Sequence, residues 1–173
     1  DSMFAHNEAS THGGDVLSTG GARVEVVRTV FAGARAGTYG GSIAVDDASS
    51  AKFTDSTFLD AQAGTVGGLA RVQIASRAEF VRCFISATTS TEGAFDVDDA
   101  DSSLSIVDST IANITRGTAI IDDATGDEFA TQLDLVAFDA SSSLPALRST
   151  STVLVQSCNG LEPSDTTDAS VGV

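Results

Sequence analysis

The sequence predicts an all-β fold, a right-handed single-stranded parallel β-helix (solenoid) of about six coils of 25–27 residues, and three observations predict it. Large apolar residues recur at Phe4, Phe31, Phe58, Phe84, Ile111 and Phe138, in steps of 27, 27, 26, 27 and 27. A second apolar column, Val26, Phe53, Phe80, Ile106 and Leu133, keeps the same pace. Gly-Gly pairs follow the first three aromatics at Gly13-Gly14, Gly40-Gly41 and Gly67-Gly68, and Gly93 takes the same place after Phe84. A fixed period of this length is the mark of a solenoid, in which each unit buries its apolar edge only against its neighbours.

Each element of the unit has a local reason. The glycines open a turn, and short alternating runs such as Ser42-Ile43-Ala44-Val45 and Ala51-Lys52-Phe53 read as strands separated by Asp, Ser, Thr and Gly. No unit has room for a ten-residue amphipathic helix, which removes leucine-rich, ankyrin and tetratricopeptide repeats, and a propeller blade needs about 40 residues. Charges give an independent measure of register. Beside the second column stand Glu25, Lys52, Glu79 and Ser105, and two positions beyond it Arg28, Asp55, Arg82 and Asp108. Both sets alternate in sign, as neighbours on coils stacked about 4.8 Å apart should.

Phe4 already occupies the last strand of a coil, so the β-helix is expected to span 1–160, to begin mid-coil, and to be part of a longer chain. From 161 to 173 the polar sequence reads as a tail or linker.

Composition narrows function. The chain has 173 residues and a net charge of −15, with a pI near 4.1. Such acidity argues against nucleic acid as a partner. No apolar run approaches the roughly 18 residues of a spanning helix, so direct membrane insertion is not expected.

Carboxylates are the conspicuous reactive groups. Asp46-Asp47, Asp98-Asp99 and Asp122-Asp123 each follow a strand, so Asp98, Asp99, Asp122 and Asp123 are expected to meet at one corner of adjacent coils. Like charges that close raise a pKa or recruit a cation, and oxygen ligands favour Ca²⁺, which makes these four the candidate metal ligands; turn preference alone explains them as well. His6 and His12 lack a third strong ligand nearby. Cys83 and Cys158 fall about 14 Å apart at three coil spacings, beyond disulfide reach. Asn113-Ile114-Thr115 is a glycosylation sequon after a strand. The column Thr29, Ser56, Cys83 and Ser109 is too irregular for the flat Thr array of an ice-binding face.

The stretch GGSIAVDDASSAKFTDSTFLDAQAGTVGG resembles the right-handed parallel β-helix repeats of the pectin-lyase-like superfamily, nearest to surface repeats of polymorphic-outer-membrane-protein type. The resemblance implies a structural or adhesive role without enzymatic activity, in an extracellular or cell-surface protein or large assembly. Partners would then be other segments of a longer chain or neighbouring subunits, stacked end-on or laterally. The alternative within the superfamily is a polysaccharide-acting enzyme, a lyase or glycoside hydrolase, or a carbohydrate-binding module, with polysaccharide as partner. The Gly-His-Gly, Asn-Thr-Asp and Arg-x-Pro-x-x-Arg motifs of those enzymes are missing here, and Arg71, Arg77 and Arg82 are dispersed by alternation, with Arg82 flanked by Asp55 and Asp108. No catalytic residue is expected.

Overall fold

The computed structural model describes residues 1–114 throughout, and beyond them 116, 120–123, 131–134, 136–138, 147–149, 152–156, 166–167 and 170–172. The described residues form strands and no helix, and the strands pair in parallel to build a β-solenoid. The second coil shows the plan: Thr29–Ala32, Arg35–Ala36, Ile43–Val45 and Ser50–Thr54 each pair with the equivalent strand of the next coil, giving four sheets. Among the described residues the first sheet has six strands, the second three, and the third and fourth seven each. Two strands, Thr166–Thr167 and Ser170–Gly172, lie within the segment that composition assigns to a tail. They extend the third and fourth ladders, as short Thr, Ser and Val runs can.

The charge columns have the register the sequence implies. Glu25 and Glu79 flank Lys52 on adjacent strands, with Lys52 Nζ 2.8 Å from Glu79 Oε1. Phe53 pairs with Phe80, and Phe80 with Ile106.

The first apolar column needs one correction. Phe4, Phe31 and Phe58 stack as expected, with centroids 5.1 and 4.8 Å apart, but the rung after Phe58 is Ile85, not Phe84. Ile85 is fully buried, whereas Phe84 pairs with Thr57 and Thr110 and is 43% exposed. The single short step of the column therefore lies between Ile85 and Ile111. Size drew the prediction to the wrong neighbour, because strand alternation sends adjacent side chains to opposite faces.

Sharp corners join the sheets, and most are made by left-handed backbone at a recurring place. Between the fourth and first sheets the residues are Arg28, Asp55, Arg82 and Asp108, all with φ of 50° to 52°. Between the third and fourth, two successive residues are left-handed: Gly20-Gly21, then Asp47-Ala48, then Ile74-Ala75. The Gly-Gly pairs answer two demands. Gly40 has φ +58°, and a Cβ on Gly41 would collide with the Gly68 carbonyl oxygen of the next coil.

A buried hydroxyl or thiol follows two of these corners in coil after coil. Ser56 and Ser109 Oγ donate to carbonyls two residues back, at 2.9 and 2.8 Å, and Ser109 Oγ accepts the Cys83 N–H at 3.0 Å. At the other corner Ser76 Oγ accepts from Ser49 N–H and Ser102 Oγ from Ser76 N–H, both at 3.1 Å. These ladders satisfy backbone groups that the corners would otherwise leave buried without a partner.

Candidate functional site

The corner after the third sheet is where the carboxylates were expected to gather. Its first side chain is built by the strand Ala70–Val72, whose central Arg71 points away from the core. The Arg71 guanidinium sits 3.9 Å over the ring of Tyr39, one coil back, and donates through Nη2 to Asp98 Oδ2, one coil on. Its Nε lies 3.2 Å from Oδ2 of Asp96, without hydrogen-bond alignment. Both the Arg71 and Asp96 side chains are largely withdrawn from solvent. Burial opposes the Arg71 charge, but the Asp98 hydrogen bond, the charges of Asp96 and Asp98, and Tyr39 together hold its pKa above the ordinary arginine value.

Asp99 faces a different set of donors. Its carboxylate accepts the backbone N–H groups of Ile74 and Ala75, the two left-handed residues of the previous coil, with the Ala75 bond at 3.2 Å. It also accepts from Asp101 N–H at 3.2 Å and Ser102 Oγ at 2.8 Å. Burial pushes this carboxyl up, and the bonds from Ser102, Ala75, Ile74 and Asp101 more than offset it, so its pKa lies below the usual carboxylate range. The carboxylate fastens one corner to the next.

Asp122 and Asp123 do not align with Asp98 and Asp99. The strand Ile121–Asp123 sets Asp122 beside Asp96 and Asp123 beside Val97, two positions earlier along the coil. The four-carboxylate convergence required the pairs to be equivalent, yet one coil carries its Asp-Asp in the strand and the other in the turn. Among the described residues no group of three or more His, Cys, Asp and Glu is placed to hold a metal ion. Asp46 accepts from Gln73 Nε2 at 2.9 Å, so the equivalent position of the second coil is also bridged to its neighbour.

Other candidates fall elsewhere. His12 leans on the Tyr39 ring with centroids 5.0 Å apart, and the His6 ring lies over Gly33. Cys83 is buried, its Sγ directed at the Val81 carbonyl at 3.5 Å, and burial pushes its thiol pKa up. Cys158 lies outside the described residues. Asn113 is exposed at a left-handed corner position, with Thr115 of its sequon outside the described residues. Arg82 donates to Asp55 at 2.6 and 3.0 Å. That hydrogen bond is the largest influence on Asp55, and it leaves the carboxyl pKa lowered.

The cluster that sequence reasoning missed is Arg71, Asp96 and Tyr39. A signal was present: Asp96 is a lone carboxylate between Phe95 and Val97 in a strand otherwise apolar. Chemically, the arrangement neutralises a sheltered guanidinium with two carboxylates and an aromatic face, which cross-links three coils. Comparison of the chain with family models, with curated proteins and with solved structures gives no match.

Proposed function

We propose that the chain is a non-enzymatic structural or adhesive β-helix segment of an extracellular or cell-surface protein or large assembly. It works by rigid extension and by lateral or end-on contacts with neighbouring subunits or other segments of a longer chain. The observation that carries this reading is that, among the described residues, chemically capable groups are committed to coil-to-coil links: Arg71 to Asp98, Asp99 to Ile74 and Ala75, Arg82 to Asp55, Lys52 to Glu79. A general acid, base or nucleophile has to be free to exchange protons with a substrate, and groups so bridged are held as structural ties. The likeness to surface repeats of the pectin-lyase-like superfamily supports the same role.

The test is a screen of acidic and neutral polysaccharides for binding and turnover, run beside small-angle scattering of the free protein. Rod-like scattering with no turnover is expected. Turnover that Asp99→Asn abolishes while the fold stays intact would overturn the reading in favour of a polysaccharide-acting enzyme.

A further inference from the structure

The outward faces of the first and fourth sheets are chemically unlike. On the fourth, Arg23, Glu25, Lys52, Arg77 and Glu79 point outward. On the first, the described strands carry no charged residue at all, in a chain that is 19% charged. Its outer row runs Met3, Val30, Thr57, Phe84 and Thr110, in register from coil to coil. Beside it runs Ala5, Ala32, Leu59, Ser86 and Ala112. Met3, Phe84, Val30 and Leu59 are 67, 43, 36 and 36% exposed. One edge of this apolar strip is the charged corner of Arg28, Asp55, Arg82 and Asp108, which continues to Asp1 through an Arg28 Nε–Asp1 Oδ1 contact of 3.0 Å.

We infer that this face binds a second copy of the chain, antiparallel, about a two-fold axis that lies along the strand direction between the Thr57–Leu59 and Phe84–Ser86 strands. The inference rests on the structural reading above and names the lateral partner. Charge complementarity selects the occupant and places the axis between coils, and packing selects which coils: an axis one coil back would also pair Arg28 with Asp55 and Arg82 with Asp1, but it would set Phe84 against Met3, large against large. With the axis between those coils, Arg28 faces Asp108 of the second copy and Asp55 faces Arg82, and the symmetry repeats both pairs. An axis passing through the Thr57 coil would set Asp55 against Asp55 and Arg28 against Arg82. A parallel pairing would bring the opposite corner across, with Asp60 against Asp55 in the same coil. The chosen register also lays Phe84 on Thr57 of the second copy, large against small.

The net charge of −15 does not forbid the contact. Asp46, Asp47, Asp98, Asp99 and Asp101 sit at the corner between the third and fourth sheets, with the fourth strand between them and the pairing face, and at about 0.15 M salt distant charges are screened beyond about 8 Å. Strand and coil spacings give the strip roughly 300 Å² per copy, so the dimer belongs to the small, transient class, with a dissociation constant in the micromolar range or weaker.

Sedimentation equilibrium from about 10 μM to about 1 mM in about 0.15 M NaCl tests this. Wild type is expected to pass from monomer to dimer, and Phe84→Thr, which installs the residue already found at both neighbouring rungs, to weaken the dimer about tenfold or more. Arg28→Asp and Asp108→Arg are each expected to be monomeric. Arg and Asp both already occupy this left-handed corner, so each variant keeps the fold, as circular dichroism will check. Mixed in equal amounts, the two should form a heterodimer, because every facing pair is then opposite in sign. A wild type that stays monomeric, association indifferent to Phe84→Thr, or a mixture that stays monomeric overturns the pairing. A rod-like monomer without turnover leaves the structural role standing, whereas polysaccharide turnover removes that role whatever the association state.

Discussion

At the residue scale, the corners show where stability is lost and where it is held. Ile74 is β-branched, exposed and left-handed, a conformation that costs an L-residue about 1–2 kcal/mol. Glycine and aspartate occupy the same place in the two preceding coils, at Gly20 and Asp47. Ile74→Gly is therefore expected to stabilise the protein by about 0.5–1 kcal/mol after the entropy of glycine is subtracted, read as a higher urea midpoint. A lower midpoint would mean that Ile74 packs in a way its exposure does not show. Asp99, which receives the Ile74 and Ala75 N–H groups, gives a pH test. Its folded pKa lies below the ordinary 3.8, so its contribution is fully present above that value and is lost as pH falls through the folded pKa. The melting difference between wild type and Asp99→Asn should be constant near neutrality and close below pH 3.8. A difference that persists unchanged into strong acid would remove the carboxylate from the link. The glycine and aspartate turns were legible in the sequence, but the left-handed conformation of the other corner residues was not, because it falls on Arg, Ile, Ala, His and Asn as well as on Gly and Asp. The repeat itself was the available signal: a polar residue followed by Ser, Thr or Cys, just ahead of each first-sheet strand.

At the scale of the element, the aromatic ladder was legible because periodic burial is what the sequence repeats, and its one error shows the limit of that signal. Phe84 and Ile85 are both large and apolar, and only strand alternation tells which turns inward; the 26-residue step that shifts the rung is compatible with either. Substitution separates the two positions sharply. Phe58 is fully buried, stacked on Phe31 and edge-on to Phe53 and Phe80, with centroids at 4.8, 5.5 and 5.6 Å. Phe58→Ala should cost about 3–5 kcal/mol, and Phe84→Ala no more than about 1 kcal/mol, in chemical denaturation. Equal costs would contradict the register. The acidic corner was only half legible for a related reason. Turn-favouring aspartates mark where coils bend, but Asp122 belongs to a strand, and one coil gains a residue in the turn after Val97 that its neighbour lacks after Val72. A shift of two positions is enough to move an aspartate from the turn into the strand.

At the scale of the whole molecule, two electrostatic terms act in opposite directions, and their magnitudes decide the response to salt. Alternation along the Arg28, Asp55, Arg82 and Asp108 column is favourable, but these groups are exposed, and exposed pairs are worth only about 0.2–1 kcal/mol each. Against them stands the self-repulsion of a chain with 24 acidic and 9 basic side chains, wound into coils only about 4.8 Å apart. Salt screens both. Pairs in hydrogen-bond contact lose little, since their charges are closer than the Debye length of about 10 Å at 0.1 M, whereas repulsion summed over many longer separations is largely removed. The melting temperature should therefore rise between low salt and about 0.3 M NaCl by about 2–4 °C, equivalent to about 1 kcal/mol for a chain of this size. Guanidinium is unsuitable for the measurement because it is itself an electrolyte, so thermal melts or urea are needed. Ca²⁺ at matched ionic strength provides the internal control: a further rise with Ca²⁺ and none with Mg²⁺ would indicate a specific carboxylate site, while equal rises are expected from screening alone. A melting temperature that falls as NaCl is added would mean that the alternating pairs outweigh the net charge.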